Sequence, residues 1–181
     1  DILLISDEVY ENLVYENEHH SIASLPEAFD RTVTISGFSK SFAMTGWRIG
    51  WMVATKETIR MVNKLQQHSL TCLPPFVQMG GLAALRNGKE CVDKMRDEFR
   101  ARRDILIPML NEIDGISCEM PKGAFYAFFK MDVGFKSMDL AEMLLYKAHV
   151  ALTPGSAFGS AGDGYLRMSY AASRDDLVEG A

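Results

Sequence analysis

One lysine of the sequence lies in a short segment whose residue types suit covalent chemistry. Lys40 lies within residues 36–50, which read SGFSKSFAMTGWRIG between two predicted strands. A lysine that forms a Schiff base must be held beside an aldehyde, and small neighbours such as Gly37 let the backbone approach the bound group. Arg48 follows Lys40 by eight residues, and its planar guanidinium matches the oxygens of a phosphate. Further hydrogen bonds are available from Ser36, Ser39 and Ser41.

A carboxylate and a phenol follow the first apolar run of the chain. Asp7 comes directly after the run that begins at Ile2, and Tyr10 lies three residues beyond Asp7. Because α/β sheets bind ligands beyond the carboxyl ends of their strands, Asp7 is well placed to face a bound group. Alone, this spacing indicates only a capped strand end. In the same chain as the lysine segment, it indicates a second part of one site.

An arginine in the last predicted strand suits the binding of a carboxylate. Arg167 lies within residues 164–170, which read GYLRMSY. A guanidinium fork binds a carboxylate through two parallel hydrogen bonds, although a lone arginine in an alternating strand usually faces solvent. By contrast, the adjacent His19 and His20 have no acidic or cysteine partner at ligand spacing, so we expect ordinary loop histidines there.

Residues 36–50 resemble the lysine signature of class I/II aminotransferases, the fold-type-I family of aspartate aminotransferase. Residues 6–10 and 153–170 resemble further segments of the same family, so the resemblance covers nearly the whole chain. It implies that Lys40 is the catalytic lysine and carries pyridoxal 5'-phosphate (PLP) as a Schiff base. Many members place a serine where this chain has Gly37, which leaves Ser39 as the better side-chain ligand of the phosphate.

The resemblance also implies the partners of that lysine. Arg48 joins Ser39 at the phosphate, Asp7 pairs with the pyridine nitrogen, and Tyr10 contacts the phenolic oxygen of the ring. Arg167 is implied to clamp the substrate α-carboxylate. The implied reaction is amino-group transfer between an α-amino acid and a 2-oxo acid, with freed Lys40 as the base that moves the α-proton. Two alternatives stay open: β-elimination by a C–S lyase on the same fold, and a regulatory domain fused behind a DNA-binding domain.

The elements that must position these residues predict an α/β fold, the later part of the PLP-dependent transferase fold. Strands are predicted at 2–6, 32–36 and 47–54, followed by helices from Lys56 to before Pro74 and from Pro75 to Asn87. A long helix from Lys89 to Ile113, with a kink expected at Pro108, connects to a compact α+β unit. That unit is predicted to hold strands 116–120, 124–130, 149–153 and 164–171 and helix 137–148. We therefore expect the end of a large PLP-binding domain at 1–97 and a small domain at 98–181.

Composition narrows the classes of partner. The chain has 181 residues, 48% of them hydrophobic, and its net charge of −5 argues against a nucleic-acid footprint. Its three cysteines lack a CxxC pair, so neither a disulfide framework nor a metal site is indicated, and a cytoplasmic setting is expected. No apolar run approaches the length of a membrane span.

The first residues of the chain already resemble a buried strand, so we expect the sequence to begin within a domain. The resemblance implies that a ring-stacking aromatic, a phosphate-binding turn and an asparagine of the cofactor site lie before residue 1. It also implies a homodimer that uses small amino acids and 2-oxo acids. We therefore expect weak or no PLP binding, and no activity, from the 181-residue chain alone.

Overall fold

The structure, a computed structural model, describes residues 2–181. The chain divides into two compact units, one ending at Arg96 and the other beginning at Asp97, within a long helix. Each unit combines a sheet with helices, so the fold is α/β, as the sequence predicts. The five helices of residues 2–181 that exceed one turn are α1 (Lys56–Ser69), α2 (Pro75–Asn87), α3 (Lys89–Asn111), α4 (Ser137–Ala148) and α5 (Arg174–Gly180).

The first unit contains a three-stranded sheet with strands β1 (Leu4–Asp7), β2 (Thr32–Gly37) and β3 (Gly50–Val53), in that order. β1 and β2 run parallel, with Asp7 opposite Ile35. β2 and β3 run antiparallel, with Gly37 opposite Gly50. Because the carboxyl ends of β1 and β2 meet at one edge of the sheet, Asp7 and the segment after Gly37 emerge side by side.

The third strand begins later than the sequence indicates. Its apolar run was expected to be extended from Trp47, but Trp47 ends a single 3-10 turn at Thr45–Trp47. Arg48 then has a left-handed backbone with φ of 52°, which interrupts extended structure. The Trp47 ring packs on α2, where a Cβ added to Gly80 would lie 2.3 Å from Cζ3 of the indole. The apolar character of Trp47 therefore serves contact with a helix rather than pairing in the sheet.

The helices of the first unit begin and end at the residues that their sequences favour. The Thr55 hydroxyl accepts a hydrogen bond from the Thr58 amide at 3.4 Å and caps α1. Pro75 is the first residue of α2, where its missing N–H leaves no intrahelical bond unmade. α3 continues through Pro108 and ends at Asn111, two residues before the predicted end. The Asn111 side chain instead bonds both the amide and the carbonyl of Cys118.

The second unit contains an antiparallel sheet of strands β4 (Ile116–Cys118), β5 (Tyr126–Met131), β6 (Thr153–Pro154) and β7 (Tyr165–Ser169), in the order β4-β5-β7-β6. One face of β5 and β7 is buried through Ala127, Phe129, Leu166 and Met168. The residues that alternate with these project from the opposite face, which we call the open face: Tyr126, Phe128, Lys130, Tyr165 and Arg167. The short helix α5 carried no recognised signal in the sequence.

Among residues 2–181, no helix combines the length and the apolar character needed to cross a membrane. In the same part of the chain, no three His, Cys, Asp or Glu side chains are gathered so as to hold a metal ion. All three cysteines have free thiols: Cys72 and Cys91 are exposed, whereas Cys118 is buried. Burial raises the pKa of the Cys118 thiol, so that it stays protonated at neutral pH.

A carboxylate of the second unit gives its stability a specific pH dependence. Arg174 of α5 donates to Glu98 from Nε at 3.1 Å and from Nη2, and Arg102 donates to the same carboxylate at 2.8 Å. The Arg174 and Arg102 guanidiniums lower the pKa of Glu98 from 4.5 to about 2. Because the pKa of Glu98 is lower in the folded than in the unfolded state, its ionised carboxylate stabilises the fold. This stabilisation is complete when the pH is above the ordinary pKa of 4.5, and it is lost as the pH falls through about 2.

The variant Glu98→Gln is therefore expected to lose less stability than the parent chain between about pH 5 and pH 2. Urea unfolding across this range measures the difference. Because the Glu98 and Arg174 side chains are 38% and 50% exposed, we expect a modest difference that shrinks in high salt. Identical pH dependence in the two proteins at low salt would contradict this account.

Candidate active site

A cavity of about 480 Å³ lies at the carboxyl ends of β1 and β2 in the first unit. Its wall includes Asp7 from the end of β1, Ser39 and Lys40 from the segment after β2, and Arg48 from the turn before β3. The parallel pairing of β1 with β2 brings these groups together from positions far apart in the sequence. A carboxylate, an amine and a guanidinium thus surround one space.

Lys40 lies in a compact turn that is anchored by a buried aromatic residue. The Phe38 carbonyl accepts hydrogen bonds from the amides of Phe42 at 3.3 Å and Met44 at 3.2 Å. The Phe38 side chain is buried and packs edge-on against the Trp51 ring at 5.0 Å between centroids. Lys40 itself is half-buried, and its Nζ lies 6.0 Å from the ring centroid of Tyr10. Tyr10 is therefore placed beside the lysine amine.

Arg48 presents its side chain from a left-handed turn. Nη1 donates to the Thr45 carbonyl at 2.8 Å, which fixes one side of the guanidinium. The residue is exposed and the cavity wall includes it, so its other N–H groups are available to a bound anion. Ala43, with φ of 53°, is left-handed like Arg48. Two residues that carry a Cβ thus adopt this uncommon conformation near the two ends of one short turn.

The three serines of the lysine segment have different environments. Ser36 is buried and donates to Glu11 Oε1 at 2.7 Å. Ser41 is buried and accepts a hydrogen bond from Asn12 at 3.3 Å. Ser39 is half-buried in the cavity wall. Of the three hydroxyls, that of Ser39 is the most suitably placed for a ligand in the cavity.

Two glycines let β2 and β3 approach closely beside the cavity. Gly37 and Gly50 are direct cross-strand partners. A Cβ added to Gly50 would lie 2.7 Å from the Ser36 carbonyl oxygen, and one added to Gly37 would lie 3.1 Å from the Gly50 Cα. Since the obstructing atoms belong to the backbone, the strands would have to separate to admit a side chain.

Gly50→Ala is therefore expected to lower the free energy of unfolding by about 1–3 kcal/mol, as overpacking commonly does. Gly46→Ala is the matched control, because a Cβ added there meets no atom within 4 Å. We expect the control to change stability by less than about 0.5 kcal/mol. Urea unfolding of the two variants measures both effects. Equal stability of the variants would show that the strand pair tolerates the added methyl group.

The residue after Asp7 has a partner that the sequence did not reveal. Asp7 is exposed and accepts a hydrogen bond from the Val9 amide at 3.2 Å. Glu8 is only 6% exposed, and its carboxylate lies 2.9 Å from His19 Nε2. His19 therefore lies in a loop, as expected, but it also contacts an acidic side chain that the sequence did not indicate. The two residues are 11 positions apart across an irregular loop, a separation that no local pattern predicts.

Arg167 lies in the second unit, on the open face of β5 and β7. Phe128 of β5 and Thr153 of β6 are its direct cross-strand partners. The guanidinium carbon lies 4.5 Å from the ring centroids of both Tyr126 and Phe158. Within residues 2–181, no carboxylate forms an ion pair with Arg167. Two aromatic faces thus support a guanidinium whose charge has no acidic partner in the described chain.

The aromatic residues before Arg167 do not share one role. Phe125 and Tyr126 are adjacent in the sequence, and a position in the core is the usual one for such aromatic side chains. Phe125 packs against the buried Phe99 ring of α3, at 5.1 Å between centroids. Tyr126 instead projects from the open face, where it contacts Arg167. The alternation of a strand sends neighbouring side chains to opposite faces, which explains the difference.

Comparison with known proteins identifies the family. The family model described as aminotransferase class I and II matches residues 1–181, so the chain belongs to this family. It is 46% identical over 180 residues to the putative aminotransferase YugH of Bacillus subtilis. It is 45% identical over 183 residues to an aspartate aminotransferase of Pyrococcus abyssi. These matches cover 99% of the chain and 46% and 47% of the two relatives.

A solved structure agrees with this assignment. The aromatic aminotransferase of Pyrococcus horikoshii superposes with a TM-score of 0.95 at 44% sequence identity, covering 98% of this chain and 48% of that protein. The chain therefore spans about half the length of the relatives that it matches. The family is one of PLP-dependent enzymes.

The residues around the cavity have the chemistry that this cofactor requires. PLP carries an aldehyde, a phosphate and a pyridine nitrogen, and the wall supplies an amine at Lys40, a guanidinium at Arg48 and a carboxylate at Asp7. The close approach of Gly37 to Gly50 keeps the adjoining backbone free of side chains. The donor set of this unit fits the cofactor.

Proposed function

We propose that this chain forms the lysine-bearing part of a PLP-dependent aminotransferase that exchanges an amino group between an α-amino acid and a 2-oxo acid. The observation that carries the proposal is the cavity that gathers Asp7, Ser39, Lys40 and Arg48 at one edge of the sheet. The family membership of the whole chain supports the same reaction class. No feature of residues 2–181 favours β-elimination or a regulatory role over it.

In this proposal each polar group of the cavity holds one part of the cofactor. Lys40 would hold it covalently through Nζ, and Arg48 and Ser39 would hold its phosphate. The Asp7 carboxylate would pair with the pyridine nitrogen and favour its protonated form, and the Tyr10 hydroxyl would hydrogen-bond the phenolic oxygen. When bound, the cofactor supplies an electron sink for the charge that develops at the substrate Cα.

The residues of the chain then supply binding and proton transfer. With its amine free, Lys40 would act through Nζ as the base that takes the proton from the substrate Cα. Arg167 binds the α-carboxylate of the substrate, a task that its lack of an acidic partner within residues 2–181 supports.

The wider organisation is proposed from the same family. Residues 1–97 correspond to the later part of the PLP-binding domain and residues 98–181 to the small domain, with the boundary in α3. The working enzyme is proposed to be a homodimer in the cytoplasm. Its partners are proposed to be small amino and 2-oxo acids.

A single-turnover assay tests the reaction class. The assay uses a protein that contains these 181 residues and has the full length typical of the family. This protein is loaded with PLP and mixed with aspartate or an aromatic amino acid. Transamination is expected to yield one equivalent of 2-oxo acid per site and then stop until a second 2-oxo acid is added. Continuous release of ammonia and pyruvate from a β-substituted amino acid, with no such stoichiometric limit, would instead show elimination.

A further inference from the structure

We propose that Glu8 is a positioning residue of this site, and that its contact with His19 holds the segment that presents Asp7 and Tyr10 to the ligand. The inference rests on the proposed function, because it assigns to Glu8 a role toward two cofactor-binding groups. Its structural basis is independent of any bound group. That basis is a buried carboxylate with three side-chain donors, located between two residues of the site.

The carboxylate of Glu8 is satisfied from three directions. Ser6 and Ser21 donate to Oε1 at 2.9 and 2.8 Å, and His19 Nε2 lies 2.9 Å from Oε2. These donors come from β1 and from the loop that follows it, so one side chain connects both ends of the segment 8–21. Glu8 is only 6% exposed. Without these donors, its carboxylate would be a buried charge with no partner.

The segment that Glu8 anchors contains the two proposed ring contacts. Asp7 precedes Glu8, and Tyr10 follows it by two residues. The backbone turns at this point, because the Glu11 amide donates to the Glu8 carbonyl at 2.9 Å and the Leu13 amide donates to the Tyr10 carbonyl at 2.8 Å. The Glu8 amide also donates to the Ile35 carbonyl of β2 at 2.7 Å. Fixing Glu8 therefore fixes the direction of both neighbouring side chains.

The same segment is joined to the lysine turn at two further points. Ser36, four residues before Lys40, donates to Glu11 at 2.7 Å. Asn12 donates to Ser41, the residue after Lys40, at 3.3 Å. A displacement of residues 8–12 would therefore move residues on both sides of Lys40. The network gives Glu8 a physical route to the site without contact with a ligand.

Glu8 keeps its charge in this environment. Burial alone would raise the pKa of its carboxyl, but the hydrogen bonds from His19, Ser21 and Ser6 outweigh burial and hold that pKa below its ordinary value. The contact with His19 is strongest when the imidazole is protonated. The conservative variant His19→Gln can still donate one hydrogen bond, whereas His19→Ala cannot.

The test compares variants in the family-length protein that contains these residues. Glu8→Ala is expected to weaken PLP binding at least about tenfold, in the range found when residues that orient a binding group are removed. It is also expected to shift the pH at which the visible absorbance of bound PLP changes. His19→Ala should produce a smaller change in both quantities, and His19→Gln should restore most of the difference.

Thr32→Val is the matched control for stability. Thr32 is buried in β2 and donates to the Ala28 carbonyl at 2.7 Å, at the end of the strand away from Lys40. Its loss is expected to destabilise the sheet while leaving PLP affinity within about twofold and the spectral pH dependence unchanged. If Glu8→Ala lowers stability like the control and shifts neither PLP affinity nor the spectrum, Glu8 is only structural and the inference is overturned.

A readout without cofactor separates this inference from the proposed function. In the 181-residue chain, Glu8→Ala is expected to speed hydrogen exchange at the amides of Glu11 and Leu13 at least about tenfold relative to Thr32→Val. Unchanged exchange would overturn the anchoring role even in an active enzyme. Failure of the unsubstituted family-length protein to bind PLP through Lys40 would overturn the proposed function and, with it, the assigned role of Glu8.

Discussion

Replacement of Lys40 by alanine is expected to abolish covalent attachment of PLP and to slow amino-group transfer by about 10²-fold to 10⁴-fold or more. The range of about 10²-fold to 10⁴-fold is the contribution that a general base alone makes to the rate. Loss of the covalent contact through Nζ adds to it. The effect is local, because the turn that carries Lys40 is held by backbone bonds to the Phe38 carbonyl that alanine preserves.

The measurement is borohydride reduction of the PLP-loaded protein followed by peptide mapping. The unsubstituted protein is expected to carry the reduced cofactor on Lys40, and Lys40→Ala is expected to carry none. Lys40→Arg is an informative companion, since it retains positive charge but has no amine that can lose its proton near neutral pH. Lys56→Ala, at the exposed start of α1, is the control and should retain both labelling and rate. Labelling of another lysine in the unsubstituted protein would refute the assignment of Lys40.

Replacement of Arg167 by lysine is expected to lower kcat/KM for α-amino acids by roughly 30-fold to 1,000-fold, with much of the loss in KM. The basis is the loss of a two-pronged contact with a carboxylate, which corresponds to about 2–4 kcal/mol when the pair is removed from water. A lysine offers a single point of charge, and it has no planar group to place against the Tyr126 and Phe158 rings, whose centroids lie 4.5 Å from the guanidinium carbon.

The decisive comparison uses an amine that lacks the α-carboxylate. For such a substrate, Arg167→Lys is expected to leave kcat/KM nearly unchanged, because the missing contact is absent in both proteins. Lys130→Ala removes a cation from the same open face and serves as the control. A similar loss for both classes of substrate would assign Arg167 a structural role.

The site residues that could be named from the sequence lie in short, contiguous segments. Asp7 is the last residue of β1, Lys40 follows the end of β2 by three residues, and Arg48 precedes β3 by two. Apolar runs in the sequence indicate roughly where these strands lie. The parallel pairing of β1 with β2 then places Asp7 and Lys40 at one edge, as the α/β pattern requires. The topology explains why Asp7 and Lys40 lie close together, whereas the roles of all three residues remain predictions from the family resemblance.

The parts that escaped prediction depend on contacts across irregular segments. Glu8 and His19 meet through a loop without a repeating pattern, so neither residue carried a local signal. Trp47 belongs to an apolar run that would suit a strand as well as a turn. Only its packing on Gly80 of α2, which the sequence does not show, explains why it lies in a turn. The sequence did not show which of Phe125 and Tyr126 faces the core, because two adjacent aromatic residues do not reveal which side of β5 is buried.

The left-handed backbone at Ala43 and Arg48 implies a conflict between durability and activity in the lysine turn. A residue with a Cβ in this conformation costs about 1–2 kcal/mol, and glycine would relieve that cost at either position. Relief at Arg48 would remove the proposed phosphate anchor, so selection for heat resistance alone would act against catalysis there. Ala43 presents no such conflict. Laboratory evolution that selects for thermostability and activity together should therefore accept glycine at Ala43 and reject it at Arg48, although the backbone geometry of the two positions is nearly the same.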